Sequence, residues 1–265
     1  MKPAASSLTP PSSVTLTPKP PTGTIDAAPR AVSGACPLSA TAAICRDTTF
    51  DGAAFTLCEV ALGEDLRLFH TGPDGVYGSF NKVNTALAGE GLTLGFAMNA
   101  GMYHRDLAPV GLYVENGTEQ SRLITSDGPG NFGLLPNGVF CIGKTFRVIE
   151  SLAFQAEAPA CRFATQSGPM LVLDGDLHPK LLPGSDSTYV RNGVGVSADG
   201  SRAVFAISED RVNFHSFARL FRDELGLSDA LYFDGNISRL YAPDLNRHDA
   251  GFPMGPIVGT VVPKG

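Results

Sequence analysis

The chain has 265 residues and a mass of 27.7 kDa, the size of one large domain or two small ones. Hydrophobic residues make up 43%, charged residues 17%, and the net charge is −6, a globular composition with no global pull toward nucleic acid or an anionic membrane. No apolar run approaches the ~20 residues a spanning helix needs, and thirty Gly and twenty Pro with no Trp argue against a helical bundle, a coiled coil or a solenoid.

Residues 1–35 stand apart as Pro, Ser, Thr and Ala without periodicity. Such a segment cannot bury enough surface to offset its ordering entropy, so a disordered or polyproline-like tether is expected there, with one domain over 36–265. No apolar stretch of about 7 to 15 residues follows Met1 and Lys2, so this is not a signal peptide. Pro/Thr-rich tethers join envelope anchors to domains, which favours a periplasmic or extracellular protein whose signal or anchor lies upstream. A cytoplasmic protein with a tail is the second reading. Cys36, Cys45, Cys58, Cys141 and Cys161 form an odd set without C-x-x-C, hence neither a zinc ribbon nor a thioredoxin motif. Cys45 and Cys58 flank a strand–turn–strand with Asp51-Gly52 at its turn, and a bridge there is worth about 3 kcal/mol by loop-closure entropy. Buried free thiols in a reducing cell are the alternative.

After the tether there is no second linker and no repeat. Short apolar strands alternate with turn signals: FTLCEVAL, DLRLFH, then the Gly-Pro-Asp-Gly turn at 72–75. A helix is expected from about Ser79 to Ala88, where Phe80, Val83, Asn84 and Leu87 share one face. TLGFAMNAG is an apolar strand running into a turn-prone loop. Further strands are expected at PVGLYVEN, NGVFCIG, TFRVIES, RFATQS, PMLVLDG, NGVGVSA and RAVFAIS, with hairpin turns at Asp174-Gly175 and Asp199-Gly200. A second helix is expected over Phe214 to Leu225, capped by Asn213 and stopped by Gly226. ALYF leads to Asp234-Gly235, and GPIVGTVV is a last buried strand. The expected fold is α+β: a single domain with a mixed or antiparallel β-sheet core and few helices.

Common catalytic motifs are missing: there is no H-E-x-x-H, P-loop, G-x-S-x-G or strand-to-helix G-x-G-x-x-G. The five histidines are scattered without metal-ligand spacing, so no metal site is expected. Three loops stand out instead. Asn99-Ala-Gly-Met-Tyr-His104 ends an apolar strand, Arg191-Asn192 opens GVGV, and Asp234-Gly-Asn-Ile-Ser238 leaves ALYF. A carboxylate or guanidinium at the end of a buried strand is costly unless paired or facing a cleft, and open sheets collect sites at strand ends. The plainer readings are a turn for Asp234-Gly235, a structural ion pair for Arg191 and a cap for Asn99. Ser167, in Thr-Gln-Ser-Gly-Pro, reads as a turn residue rather than a nucleophile, because no His–Asp relay is suggested around it.

In order along the chain, FAMNAGMYH, PVGLYVENG, GPGNFGLLPNGVF, ATQSGPMLVLDGDLHP, RNGVGVS, FARLFRDELG, ALYFDGNIS and MGPIVG resemble the phosphodiester glycosidase family, its short bacterial branch above all. The resemblance runs from about Cys45 to Val262. It implies a hydrolase that cleaves the glycosidic bond of a sugar-1-phosphodiester, releasing free sugar and a phosphomonoester. Asn99 matches the Asn of the family's Asn-Gly-Gly-Phe-Phe loop, Arg191 the Arg before its Val-Gly strand, and Asp234 and Ser238 the ends of its Asp-Gly-Gly-Gly-Ser loop. At Ala100, Asn236 and Ile237 the larger enzymes have Gly, so side chains here narrow or reshape the pocket, which bears on N-acetylglucosamine as the substrate.

The roles implied are catalytic for Asp234, Arg191 and Asn99. Asp234 activates water at the anomeric carbon or stabilises an oxocarbenium-like transition state, Arg191 clamps the phosphate, and Asn99 with loop amides orients the substrate. His104 is a candidate proton donor; Gln166, Ser167, Asn192, Gly235 and Ser238 are candidate substrate contacts. A phosphodiester is already a good leaving group, so the second carboxylate usual in glycosidases matters less; Glu115 and Glu209 are candidates for it. No cofactor is expected, with a divalent cation such as calcium left open. The partner is a small-molecule or glycan phosphodiester, with no nucleic acid and no membrane span. Two other classes compete: a non-catalytic envelope module that binds glycan, and a phosphodiesterase that cleaves the P–O bond.

Overall fold

The Asp51-Gly52 pair turns strand Ile44–Phe50 back onto Ala53–Ala61. Both turn residues have positive φ, 50° and 78°, the geometry whose twist matches that of the flanking strands. Asp174-Gly175 repeats it between Met170–Leu173 and Asp176–Leu177, and Asp199-Gly200 lies in the connection from Asn192–Val196 to Arg202–Ser208. The computed structural model describes residues 43–265; the tether expected over 1–35, the start of the domain at 36 and Cys36 lie outside the described residues.

Beside the small antiparallel hairpin Thr71–Gly72/Gly75–Val76, the described strands form three larger sheets. The first has seven strands in the spatial order Ile44–Phe50, Ala53–Ala61, Arg202–Ser208, Asn192–Val196, Asp229–Asp234, Met170–Leu173, Asp176–Leu177. The second runs Phe146–Glu150, Gly138–Ile142, Phe163–Ser167, Tyr113–Glu115, Thr118–Ser121, and the third Arg247–His248, Leu240–Ala242, Leu92–Asn99, Ile257–Pro263, Leu66–Phe69. Every ladder in them is antiparallel, so the core is antiparallel rather than mixed. Two-residue turns join only antiparallel neighbours.

The sheets meet on three buried phenylalanines, one from each: Phe205, Phe140 and Phe96. Phe205 sits 5.0 Å from Phe96 and 5.7 Å from Phe140, centroid to centroid, within the range of favourable aromatic pairs. Helix Phe80–Ala88 covers the third sheet with Phe80, Val83 and Leu87, and Ser79 caps it by accepting from Lys82 N. Asn84, half-buried on the same side, accepts from Leu94 N at 2.8 Å and so ties the helix to the sheet.

The helix expected over 214–225 is two pieces, an α-helix Phe214–Arg219 and a π-helical turn Leu220–Glu224. Asn213 caps its start by accepting from Ser216 N, and Gly226 ends it at φ 61°. Phe221 and Leu227 lie against the first sheet where Gly195 has no side chain; a Cβ there would sit 2.7 Å from each. That close approach accounts for the second glycine of GVGV.

Two elements escape the sequence reading. Helix Ser151–Glu157 starts at the end of an expected strand, where the Glu150 carboxylate accepts from Leu152 N and Ala153 N. It buries Ser151 alone, so it has no apolar stripe to detect. PVGLYVEN contributes only Tyr113–Glu115, which turns through Asn116-Gly117 into Thr118–Ser121. Disulfides join Cys45 to Cys58, directly opposite across their hairpin, and Cys141 to Cys161. No described helix is long and apolar enough to cross a membrane.

Candidate active site

Four strand termini, from all three sheets, converge. Asn99 ends its strand in the third sheet, Ser167 in the second, Asp234 in the first, and Asn192 begins the neighbouring strand of the first. Hydrogen bonds lock them together. Asn192 Nδ2 donates to Asn99 Oδ1 at 3.1 Å and to its carbonyl at 2.9 Å, while Asn99 Nδ2 donates to Asn192 Oδ1 at 3.2 Å. Asn192 Oδ1 also accepts from Asp234 N, and Asn99 Oδ1 from Arg239 N. Ser238 Oγ donates to the carbonyls of Val190 and Asp234, and Ser167 Oγ to that of Phe233. These four polar side chains spend their hydrogen bonds on the backbone and each other, which holds the Asp234 loop at the sheet junction.

The loop carries Asp234 onto the wall of a cleft of about 610 Å³ whose lining includes Tyr103, Phe132, Tyr189, Tyr232, Gly235 and Asn236. Asp234 is the one carboxylate among the described lining residues. Its Oδ1 accepts from Gly235 N at 2.6 Å and Asn236 N at 2.9 Å. Burial raises its titration above the ordinary carboxylate range, and the amides of Asn236, Gly235 and Ile237 pull the other way.

Arg191 lies fully buried behind this wall rather than on it. Nε donates to the Val212 carbonyl at 2.8 Å and Nη2 to that of Ser187 at 2.9 Å, and the guanidinium stacks 3.6 Å from the Phe214 centroid. Nη1 has no partner, and no carboxylate among the described residues pairs with the cation. Burial pulls its titration down, opposed by Tyr232. The ion pair named as its plainer reading is therefore not formed; carbonyls and aromatic faces hold it.

The remaining candidates divide. Gly235 lines the cleft. His104 is exposed in the Asn99–His104 loop and outside the lining. Gln166 is buried on the central strand of the second sheet: Oε1 accepts from Leu112 N and Ile124 N, and Nε2 donates to the Ile124 carbonyl and Ser151 Oγ. It thus anchors the base of the segment that brings Asn131 and Phe132 into the cleft. Glu115 accepts from Tyr113 Oη and Glu209 pairs with Arg247, both away from the cleft. Of the three positions where side chains replace glycine, Asn236 and Ile237 line the cleft and Ala100 is buried behind it. Tyr103, Tyr189 and Tyr232 were not singled out in the sequence. Tyr232 carried one signal: two residues before Asp234 on a strand, it faces the same side. Among the described residues no three His, Cys, Asp or Glu side chains come together to hold a metal ion.

The sequence profile of the phosphodiester glycosidase (NAGPA) family matches residues 93–254, a span that contains every loop of the junction. The chain belongs to the phosphodiester glycosidase family. It is 40% identical over 146 residues to the uncharacterized protein YigE of Escherichia coli strain K12, across 55% of this chain and 57% of that one. The match thus spans little more than half of that relative's length. Its fold resembles the catalytic domain of zebrafish N-acetylglucosamine-1-phosphodiester alpha-N-acetylglucosaminidase, solved auto-inhibited by its pro-peptide. The TM-score is 0.53 at 12% identity, covering 82% of this chain and 81% of that one. The loops that resemble the family's meet at this junction, beside the cleft.

Proposed function

We propose that the protein hydrolyses the glycosidic bond of a sugar-1-phosphodiester, with Asp234 as the general base. The observation that supports this most is the pairing of a carboxyl of raised basicity on the cleft wall with a buried guanidinium that has no carboxylate partner. A buried cation without a counter-ion favours an anion in the adjoining cleft. Water attacks the anomeric carbon as Asp234 takes its proton. The C–O bond to phosphate breaks and the phosphomonoester leaves with the bonding electrons. Burial makes Asp234 more basic than an exposed Asp, which suits a base. The leaving phosphate needs little protonation, so a cleft with one carboxylate suffices.

That single carboxylate also favours a second reading, a module that binds an anionic glycan without turnover. Product analysis separates them. The full chain is incubated with a panel of sugar-1-phosphodiesters, nucleotide sugars included, beside Asp234→Asn. Free reducing sugar and phosphomonoester, lost in the variant, are expected. Sugar-1-phosphate as product would mean P–O cleavage, and saturable binding without product would support the module. Two disulfides suit an oxidising compartment, in support of a periplasmic or extracellular location.

A further inference from the structure

Besides the Asp234 carboxylate, the described lining of the cleft holds no Lys, Arg, His, Asp or Glu. Its other side chains are neutral: aromatic at Tyr103, Phe132 and Tyr189, amide at Asn131 and Asn236. Both Asn residues are exposed, and their hydrogen bonds to other described residues run through the backbone. The Asn131 carbonyl accepts from Leu134 N at 3.2 Å, and Asn236 N donates to Asp234 Oδ1 at 2.9 Å. Each side-chain amide is left to donate and accept elsewhere. The loops that carry them are fixed. Residues 128–133 close on themselves as a compact loop because Gly133 has no Cβ, which would overlap the Gly128 backbone. Phe132 roots that loop: it is buried, its carbonyl accepts from Asn137 Nδ2 at 3.0 Å, and its Cζ lies where a Cβ on Gly111 would be 2.8 Å away. Asn236 is set by the same amide contact that holds the Asp234 carboxylate, so a ligand meets both amides already in place. Amides beside aromatic rings suit the hydroxyls and C–H faces of a sugar. Charge then decides which sugar. The phosphate of a substrate already brings one anion to a cleft whose lining carries a carboxylate and no cation. A carboxylate on the sugar would add a second anion, which would lose water without gaining an ion pair.

We propose that Asn131 and Asn236 select the sugar by bonding its hydroxyls, and that the cleft takes an uncharged sugar and rejects a uronic acid. The proposal deepens the hydrolase reading, on which it rests for placing the scissile bond at Asp234, and makes Asn131 and Asn236 specificity-determining residues.

The test uses the full chain, with binding read by calorimetry. The probes are the 1-phosphates of glucose, galactose and mannose, the 1-phosphates of the matching uronic acids, and inorganic phosphate. At least one hexose-1-phosphate is expected to bind ~10-fold or more tightly than its uronic acid counterpart, whose carboxylate is repelled by Asp234. Asn131→Ala and Asn236→Gly each remove one neutral hydrogen bond and are expected to weaken binding of that hexose-1-phosphate roughly 3- to 10-fold. Affinity for inorganic phosphate and the ligand-free Tm are expected to stay level in both. A uronic acid bound as tightly as its hexose in all three pairs overturns the proposal, as does wild-type affinity in either variant or a wild type that binds no hexose-1-phosphate. An equal loss of affinity for inorganic phosphate overturns it too, because the amides then shape the cleft rather than read the sugar. The hydrolase reading fails separately: amide-dependent hexose binding in a wild type without turnover on any phosphodiester leaves the sugar site standing, and turnover with kcat/KM unchanged in both variants removes the sugar site alone.

Discussion

Asp234 is pulled two ways, by burial toward its neutral form and by backbone amides toward its ionised form, and burial wins. Its pKa is thus higher in the folded chain than in the unfolded one. The stability tied to this group is fully present below the unfolded carboxyl value, about 3.9, and is lost as pH rises through the folded value. Asp234→Asn keeps an oxygen for the Gly235 and Asn236 amides and removes the charge. We expect it to raise Tm at pH 7, with the gain shrinking as the pH is lowered toward 4, in thermal melts across that range. The same variant should lose activity by at least ~10³-fold. In the wild type, kcat/KM should rise with pH through the raised Asp234 pKa and then level off; a rate that falls with rising pH over that limb would make Asp234 an acid instead. Gly235→Ala should cost roughly 1 to 3 kcal/mol through overpacking against Tyr232, measured by urea titration.

At the scale of elements, the hairpins and the two expected helices were legible because their signals are local. Asp-Gly dipeptides bring positive φ, and apolar residues spaced three and four apart name a buried helix face. Helix Ser151–Glu157 was not legible, since Phe154 is its one large apolar side chain packed inward, too few for a periodic signal. No local pattern announces the π-helical turn after Arg219 or the close approach of Phe221 and Leu227 to Gly195. The Asn99–Asn192 pair joins two sheets across 93 residues of sequence. Asn192→Ala leaves several buried groups without partners and should destabilise the protein by roughly 3 kcal/mol, read from the urea midpoint. Asn192→Ser, short by two atoms, should recover little of it.

At the scale of the molecule, the described residues form three large antiparallel sheets packed on a phenylalanine core and stapled by two disulfides that close short loops. The Cys45–Cys58 bridge was readable from its hairpin, whereas Cys161, just ahead of strand Phe163–Ser167, meets Cys141 only because that strand pairs with Gly138–Ile142. Each bridge is worth about 3 kcal/mol by loop-closure entropy, so reduction with a thiol should lower the urea midpoint, and the paired variant Cys141→Ser/Cys161→Ser should give about half of that loss. By itself the sequence determined the strand-and-turn body, the helix caps and the three loops that hold the junction, because dihedral preference and burial period act between near neighbours. Which polar side chain faces the cleft was decided by tertiary structure alone. Asn99, Asn192, Ser238 and Gln166 find partners far along the chain, and Arg191 finds its own in the carbonyls of Ser187 and Val212. Whether a buried polar group is satisfied is a property of everything packed around it, and that is settled only once the sheets have met.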